Sequence, residues 1–438
     1  MAHPNPLVRE IASLVDEDRP FALARSSGFL VRQRSLQLAP FFWTLVLGML
    51  AGPAKSLAGL QRTYHELTGT VLASSSFQER FCPAMVAWLR LVFEHVAATV
   101  AADATPRMSG LLASFRELTL VDSTVLRLDA LLAGRYPGCR TNHSPAAAKL
   151  NVIYNVTAGH LQARIAEGTR AETKLFSPGP WVAGSLLLFD LGYFKLQFFW
   201  RIAKHGGFFI SRLKDGANPA ITSVNTVHRG RAIDLTGRKL KEVLGDLKRK
   251  ELDCQVTYRV GRAGLPGRPA KKRKSETLSL RLVAVFNEEA RRYHLYLTNI
   301  APDVMTASQV ADAYRLRWHV ELLFKELRSA AGIDAWPNRK EETFLAGVYA
   351  TLLGMLVNRR LLGTLRDKLD SDNPGTTRRL SHQRWTAVFA VHARAFMRLV
   401  LGLDTQSHRQ VKTFVSMLLR ETIEPTRRKP RLGAKYAL

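Results

Sequence analysis

From about residue 7 to 104, apolar residues recur every three or four positions, through "FFWTLVLGML" and "FCPAMVAWLRLVFEHVAATVAA", and this period predicts a helical N-terminal region. The turn-rich stretch "DATPRMSG" at 103–110 ends it. The period then changes: "RELTLVD", "AKLNVIYNV" and "HLQARIAEG" are short, β-branched or alternating, and predict a three-stranded meander. A helix is expected at about 171–177. The run "SLLLFD" that follows is too apolar to face water and reads as a strand buried on both faces, ending in Asp190. A helix at 193–204 and a strand in "GGFFISRL" complete this part.

Residues 215 to about 300 alternate in "LDCQVTYRV", "LSLRLVAVF" and "RYHLYLTNI", around the loop "GRAGLPGRPAKKRK", and predict a β-rich insertion. Thr306, followed three residues later by Gln309, has the signature of a capping box and opens one long helix expected to run to Gly332. Helices resume from 341 to 369 and from about 381 to 403, and the basic tail "TRRKPRLGAKYAL" is the expected mobile end.

Charge narrows the partners. The chain has 438 residues, with 64 Lys and Arg against 36 Asp and Glu, a formal net charge of +28, which favours a polyanionic partner, nucleic acid before membrane. The uncharged stretch "LAPFFWTLVLGMLAGPA" at 38–54 is interrupted by Pro40, Gly48, Gly52 and Pro53 and is shorter than the ~20 apolar residues of a span, so a buried helix is expected there. No apolar leader segment opens the chain, so a cytoplasmic, nucleoid-associated bacterial protein with no membrane partner is expected. Three widely separated cysteines, Cys82, Cys139 and Cys254, form neither a disulfide framework nor a zinc module. HExxH, GxSxG and GK[ST] motifs are absent, which removes the zinc-protease, serine-hydrolase and phosphate-loop readings.

Three carboxylates then stand out. Asp122 ends an apolar strand in "LTLVDSTVLRL", where a turn-forming role competes with a chemical one. Asp190 ends "LLLFD", where a helix N-cap is the competing role. Glu321 lies in "YRLRWHVELLFKELR". At about 100° per residue, Tyr314, Arg317, Glu321, Lys325 and Arg328 share an arc of about 80°, opposite a core stripe of Leu316, Val320, Leu323 and Leu327. A solvated face with a Glu321–Lys325 pair is the simpler reading of that helix alone. Together, two strand-end aspartates and a helical glutamate are the oxygen ligands that phosphodiester chemistry with two divalent ions requires.

"VDST" at Asp122, "FDLGYF" at Asp190, and Tyr314-x2-Arg317-x3-Glu321 resemble the signatures of DDE transposases of the insertion-sequence-4 family. The resemblance covers roughly residues 60 to 370. It departs at Arg328, where the family has Lys, so a planar fork replaces a compact ammonium. The resemblance implies an α/β, RNase H-like mixed sheet flanked by helices. Its division would be an N-terminal helical, end-binding region (1–108), a catalytic core in two parts (109–214 and 303–372) split by the insertion (215–302), and a C-terminal helical region with the tail (373–438).

For activity it implies a cut-and-paste transposase that cleaves insertion-sequence ends and transfers the strand into target DNA, some relatives passing through a hairpin. Asp122, Asp190 and Glu321 would be catalytic and would hold two Mg²⁺ ions, with Mn²⁺ able to substitute. Tyr314, Arg317, Lys325 and Arg328 would contact DNA. From their own positions, so would Arg212 and Lys214 past a strand end, and Lys271, Lys272, Arg273 and Lys274 in the basic loop. Residues 238–274 hold 13 Lys or Arg against four acids. Double-stranded DNA, both terminal repeats and target, and a homodimer assembled on it are the implied partners. A flipped base would need an aromatic, for which Trp181, Tyr258, Tyr293 and Trp318 are candidates. A non-catalytic DNA-binding relative and a nuclease without strand transfer remain the alternatives.

Overall fold

The computed structural model describes residues 5–15, 18–32, 36–51, 56–103, 110–139, 144–225, 227–228, 231–261, 275–330, 332–374 and 378–424. Its centre is a mixed sheet made of β1 (Leu118–Leu128), β2 (Ala146–Asn155), β3 (Leu161–Glu167), β4 (Leu186–Phe189), β5 (Phe208–Arg212), β6 (Ile221–Val224), β9 (Glu251–Gly261), β10 (Ser275–Asn287) and β11 (Arg292–Thr298). A separate short hairpin holds β7 (Val227–His228) and β8 (Arg231–Ala232). The sheet order is β3-β2-β1-β4-β5-β11-β10-β9-β6.

The meander β1–β3 is antiparallel, as the alternating segments predict. β4 and β5 then add in parallel beside β1, joined through α7 (Leu196–Lys204). All four residues of β4 are buried, which is what a central parallel strand requires of "LLLF". The insertion carries on the same sheet instead of forming a detached unit, because β11 pairs antiparallel with β5. The small α8 (Leu240–Asp246) packs at its edge.

The N-terminal region forms α1 (Pro6–Leu14), α2 (Asp18–Ser26), α3 (Leu38–Gly48), α4 (Leu57–Thr68), α5 (Ser74–Gln78) and α6 (Pro83–Asp103). Among the described residues one helix, Pro83–Val100, is long and apolar enough to cross a membrane. It lies against α2 and against the long helix Glu341–Asp372, with Trp88, Leu89, Val92 and Val96 buried. As expected, α3 is a buried helix.

The chain continues as α9 (Ala307–Arg315) and α10 (Trp318–Lys325), then α11 (Glu341–Asp372), α12 (His382–Val400) and α13 (His408–Thr422). α11 is buried all round its middle and packs against α1, α3, α6 and α12, so the two ends of the chain share one apolar core. At Gly354 this helix passes so close to α3 that a Cβ would lie 2.6 Å from the Val46 carbonyl oxygen. Gly354→Ala is therefore expected to lose about 1–2 kcal/mol, since backbone overpacking outweighs the ~1 kcal/mol by which Ala favours a helix. Denaturant unfolding checks it; an unchanged midpoint would contradict the close crossing.

Two expectations need correction. The helix expected at 171–177 is a single 3₁₀ turn, Glu172–Lys174, because Pro178, Gly179 and Pro180 follow before a second turn can form. The single helix expected from Thr306 to Gly332 is three pieces. The capping box forms as predicted, with Gln309 N–H donating to Thr306 Oγ1 at 3.3 Å. Around Arg317 the bonds then tighten to a three-residue spacing, Leu316 N–H to Ala313 O and Arg317 N–H to Tyr314 O, both at 3.0 Å. Glu326–Ala330 winds as a π-helical turn.

Candidate active site

Parallel pairing sets the first two carboxylates side by side. Val121 and Phe189 are register partners in β1 and β4, so Asp190 follows just past the end of β4 beside Asp122. Asp122 does not end its strand as expected but lies fifth of eleven residues in β1, because pairing with β2 carries β1 on to Leu128. Asp122 Oδ1 accepts the Ser123 N–H at 2.8 Å. Asp190 begins the turn Leu191–Tyr193.

The helical segment that carries Glu321 faces these residues, with α10 packed on β1. Its predicted core stripe is correct: Leu316, Val320, Leu323 and Leu327 are all buried. Arg317 sits at the junction of α9 and α10 and donates from Nη1 to Asp122 Oδ2 at 3.1 Å and from Nη2 to Glu321 Oε1. One guanidinium thus joins the β1 aspartate to the helical glutamate. Its side chain is 17% exposed, which makes this a half-enclosed pair and not a surface one.

Tyr314 does not share the open face. It is buried against Tyr296 and donates its hydroxyl to the Phe189 carbonyl at 3.1 Å, one residue before Asp190. The cause is the tightened junction, since three-residue bonding winds about 120° per residue and turns α9 away from the straight-helix arithmetic. Arg328 likewise reaches β1, donating from Nη2 to Thr124 Oγ1 at 2.6 Å and to the Val125 carbonyl at 2.8 Å. The π turn that carries it is held by buried Glu326, which pairs with Arg359 at 2.9 Å. Lys325 is exposed beside Glu321.

Burial pushes the Asp122 carboxyl up to about 6; the Ser123 N–H and Arg317 oppose this, while Asp190 and Glu172 add to it. Asp190 and Glu172 thus act on Asp122 in a half-buried place, where Arg317 stands beside Asp122 and Lys149 beside Glu172. Among the described residues no three acidic, imidazole or thiol groups stand together at metal-ligand spacing, because the guanidinium lies between Asp122 and Glu321. The acidic side chains offer carboxylate oxygens, the donor type a hard divalent cation prefers, and Arg317 already occupies Asp122 and Glu321.

Other candidate positions are distributed around this centre. Arg212 ends β5 opposite Tyr296 and acts electrostatically on Tyr314, which brings it to the edge of the site. Lys214 is exposed beyond it. Lys271, Lys272, Arg273 and Lys274 lie outside the described residues. Of the aromatics, Tyr293 directs its hydroxyl to the carbonyls of Leu247, at 3.1 Å, and Arg249, and Tyr258 is half-buried. Trp181 and Trp318 are 38% and 59% exposed.

Sequence reasoning missed the residues behind Asp122. Asn151 Nδ2 donates to the Asp122 carbonyl at 3.3 Å and to the Tyr193 hydroxyl. Ser123 Oγ donates to Glu172 at 2.7 Å, and Lys149 lies 3.7 Å from the same carboxylate. A signal existed for two of them: Lys149 and Asn151 alternate on one face of an otherwise apolar strand, and buried polar groups need partners. Glu172, in an irregular turn, had none.

Asp122 within β1 and Asp190 just past the end of β4 are thus faced by the helix that carries Glu321. The chain belongs to the family described as the transposase DDE domain, whose model matches residues 113–356. It is a DDE transposase, an enzyme that cuts and transfers DNA strands, and enzymes of this family work with divalent metal ions. The transposase for insertion sequence element IS231B of Bacillus thuringiensis subsp. berliner is 24% identical over 378 residues, covering 80% of this chain and 78% of that one. The IS1151 transposase of Clostridium perfringens is 23% identical over 395 residues, 82% and 80% of the two chains. A solved structure of the piggyBac transposase synaptic complex with hairpin DNA is similar with a TM-score of 0.47 and 11% identity, over 95% of this chain and 85% of that one.

Proposed function

We propose that this transposase excises an insertion-sequence element at its terminal repeats and joins it to target DNA, with Asp122, Asp190 and Glu321 holding two Mg²⁺ ions that Mn²⁺ can replace. The supporting observation is the placement of Asp122 beside Asp190 on paired strands, with Glu321 tied to the same aspartate through Arg317. Bound there, the ions would activate water or a 3′-hydroxyl and stabilise the leaving oxygen.

The chain's own groups do the rest. Arg317 is the cation of the DNA-free site, and an incoming phosphodiester gives its fork a second anion to bind through paired hydrogen bonds, freeing Asp122 and Glu321. Tyr314 acts by fixing the Phe189 carbonyl and hence the backbone entering Asp190, a positioning part in place of a phosphate contact. Arg328 anchors the π turn to β1 through two acceptors, and one ammonium would satisfy that geometry less fully. Lys325, Arg212 and Lys214 supply exposed positive charge around the site, and we extend that role to the basic loop 271–274.

For a hairpin route, the aromatic assigned to hold an extruded base is Trp318, the more exposed of the two exposed tryptophans and next to Arg317. The N-terminal helices are assigned to the terminal repeats, and joining two ends calls for two protomers on DNA. Family membership and the gathered acids favour strand transfer over hydrolysis alone or a non-catalytic role.

The test is cleavage of linear DNA carrying the element's own ends, with Mg²⁺ and with EDTA. Cleavage and joining should require the ion. Undiminished cleavage in EDTA would overturn the assignment. Binding of the same DNA should weaken steeply with salt, by about tenfold or more between 50 and 200 mM, as several phosphates release counterions.

A further inference from the structure

Behind the paired aspartates stands a carboxylate that this chemistry does not use. Glu172 opens the 3₁₀ turn Glu172–Lys174, which packs on the turn Leu191–Tyr193. Its Oε1 accepts from Ser123 Oγ at 2.7 Å, and Ser123 is the residue whose N–H holds Asp122 Oδ1. Its Oε2 lies 1.7 Å from where a Cβ on Gly192 would be, and Gly192 is two residues past Asp190. Glu172 therefore touches the segment following each aspartate. Lys149 steadies it from β2, with Nζ 3.7 Å from Oε1 and donating to the Arg170 carbonyl at 2.9 Å.

Two like-charged carboxylates on neighbouring strands repel, and a Mg²⁺ seat tolerates little misplacement because the ion demands near-octahedral oxygen geometry. Something must hold the separation before the ions arrive. The position opposite Glu172 is a glycine outside the left-handed region, so backbone conformation does not require it, whereas the space taken by the Glu172 carboxylate does.

We propose that Glu172 is a positioning residue for strand cleavage, a wedge between Ser123 and Gly192 that sets the spacing of Asp122 and Asp190 and hence the seat of the divalent ions. This rests on the reading that those two aspartates hold the ions. Glu172 itself stays with Ser123 and Lys149.

The experiment is a double-mutant cycle with Glu172→Ala, Gly192→Ala and both together, in the full chain bound to its end DNA. It reads Mn²⁺ affinity by titration calorimetry, the Mg²⁺ concentration for half-maximal cleavage, the maximal rate and the unfolding temperature. Each single change should weaken Mn²⁺ binding and raise the Mg²⁺ requirement by about tenfold or more, with up to about 10²-fold lost in rate. The double variant should be no worse than Glu172→Ala, because the added methyl then has nothing to displace. Glu172→Gln, which keeps an acceptor for Ser123 in the same space, should restore most of the ion affinity and show that volume and the hydrogen bond matter.

Wild-type Mn²⁺ affinity and cleavage in Glu172→Ala would overturn the proposal, as would losses in the double variant equal to the product of the singles. Losses explained by a lowered unfolding temperature, with Glu172→Gln no better than Ala, would also overturn it. Asp122→Asn separates the two levels: retained ion binding and cleavage there sink the underlying reading, while their loss beside an unaffected Glu172→Ala sinks the wedge alone.

Discussion

Glu321→Gln and Asp122→Asn should each lower strand cleavage by at least about 10³-fold, roughly 4 kcal/mol of barrier, while leaving binding of the element's ends intact. Both replacements keep the shape and an acceptor oxygen for Arg317, so folding is preserved and charge alone is removed. For Asp122 the effects on stability and on activity should have opposite signs. Its carboxyl is held at about 6, chiefly by burial, against an ordinary value near 3.8, so folding disfavours the ionised form. The sign follows from linkage: the penalty is absent below about pH 4 and grows until about pH 6, so wild-type stability falls across that window. In ion-free buffer at neutral pH, Asp122→Asn should be more stable than wild type by about 1–3 kcal/mol, with the gap closing near pH 4. Denaturant unfolding at the two pH values, beside a cleavage assay, checks both halves. Cleavage by Glu321→Gln at the wild-type rate would remove it from the site.

Arg281→Met should destabilise the fold by about 3–5 kcal/mol, because it strands a carboxylate in the interior. Arg281 on β10 is 2% exposed and donates through Nε at 2.8 Å and Nη2 at 2.5 Å to Asp253 on β9. Its Nη1 donates at 3.2 Å and 2.7 Å to the carbonyls of Ile300 and Met305, in the turn just before the Thr306 cap. The insertion thus grips the start of the segment that carries Arg317 and Glu321. Adding Asp253→Leu should recover much of the stability, since paired apolar replacement avoids an unpaired buried charge. It should recover less of the cleavage rate, because the two carbonyls remain without the fork that held the turn. An Arg281→Met protein within about 1 kcal/mol of wild type in urea would show that the clamp contributes little.

Much of this was legible because local pattern and burial agree. The β4 run "LLLF" could only be a central strand, and Leu316, Val320, Leu323 and Leu327 could only be a core stripe. α13, with Val411, Val415 and Leu418 at a helical period, falls within the expected C-terminal helical region, but no separate helix was delimited there. Tyr314 was expected on the open face, and the arithmetic failed at one junction where three-residue bonds replace four-residue ones.

By itself the sequence determined the mixed α/β class, the apolar runs that lead into Asp122 and Asp190 and the helix bearing Glu321, since such patterns are properties of contiguous residues; that β1 runs on past Asp122 to Leu128 was decided by its pairing with β2. The net charge of +28 also favoured a polyanionic partner, since charge is a sum over composition. Only the tertiary structure decided that Arg317 bridges Asp122 and Glu321, that Tyr314 turns inward to the Phe189 carbonyl, and that Arg328 anchors on β1. It alone brought Glu172 between Ser123 and Gly192. These are contacts between residues far apart in the chain, made by strand register, a tightened helical junction and a turn without periodicity, and no local pattern encodes the distance across them.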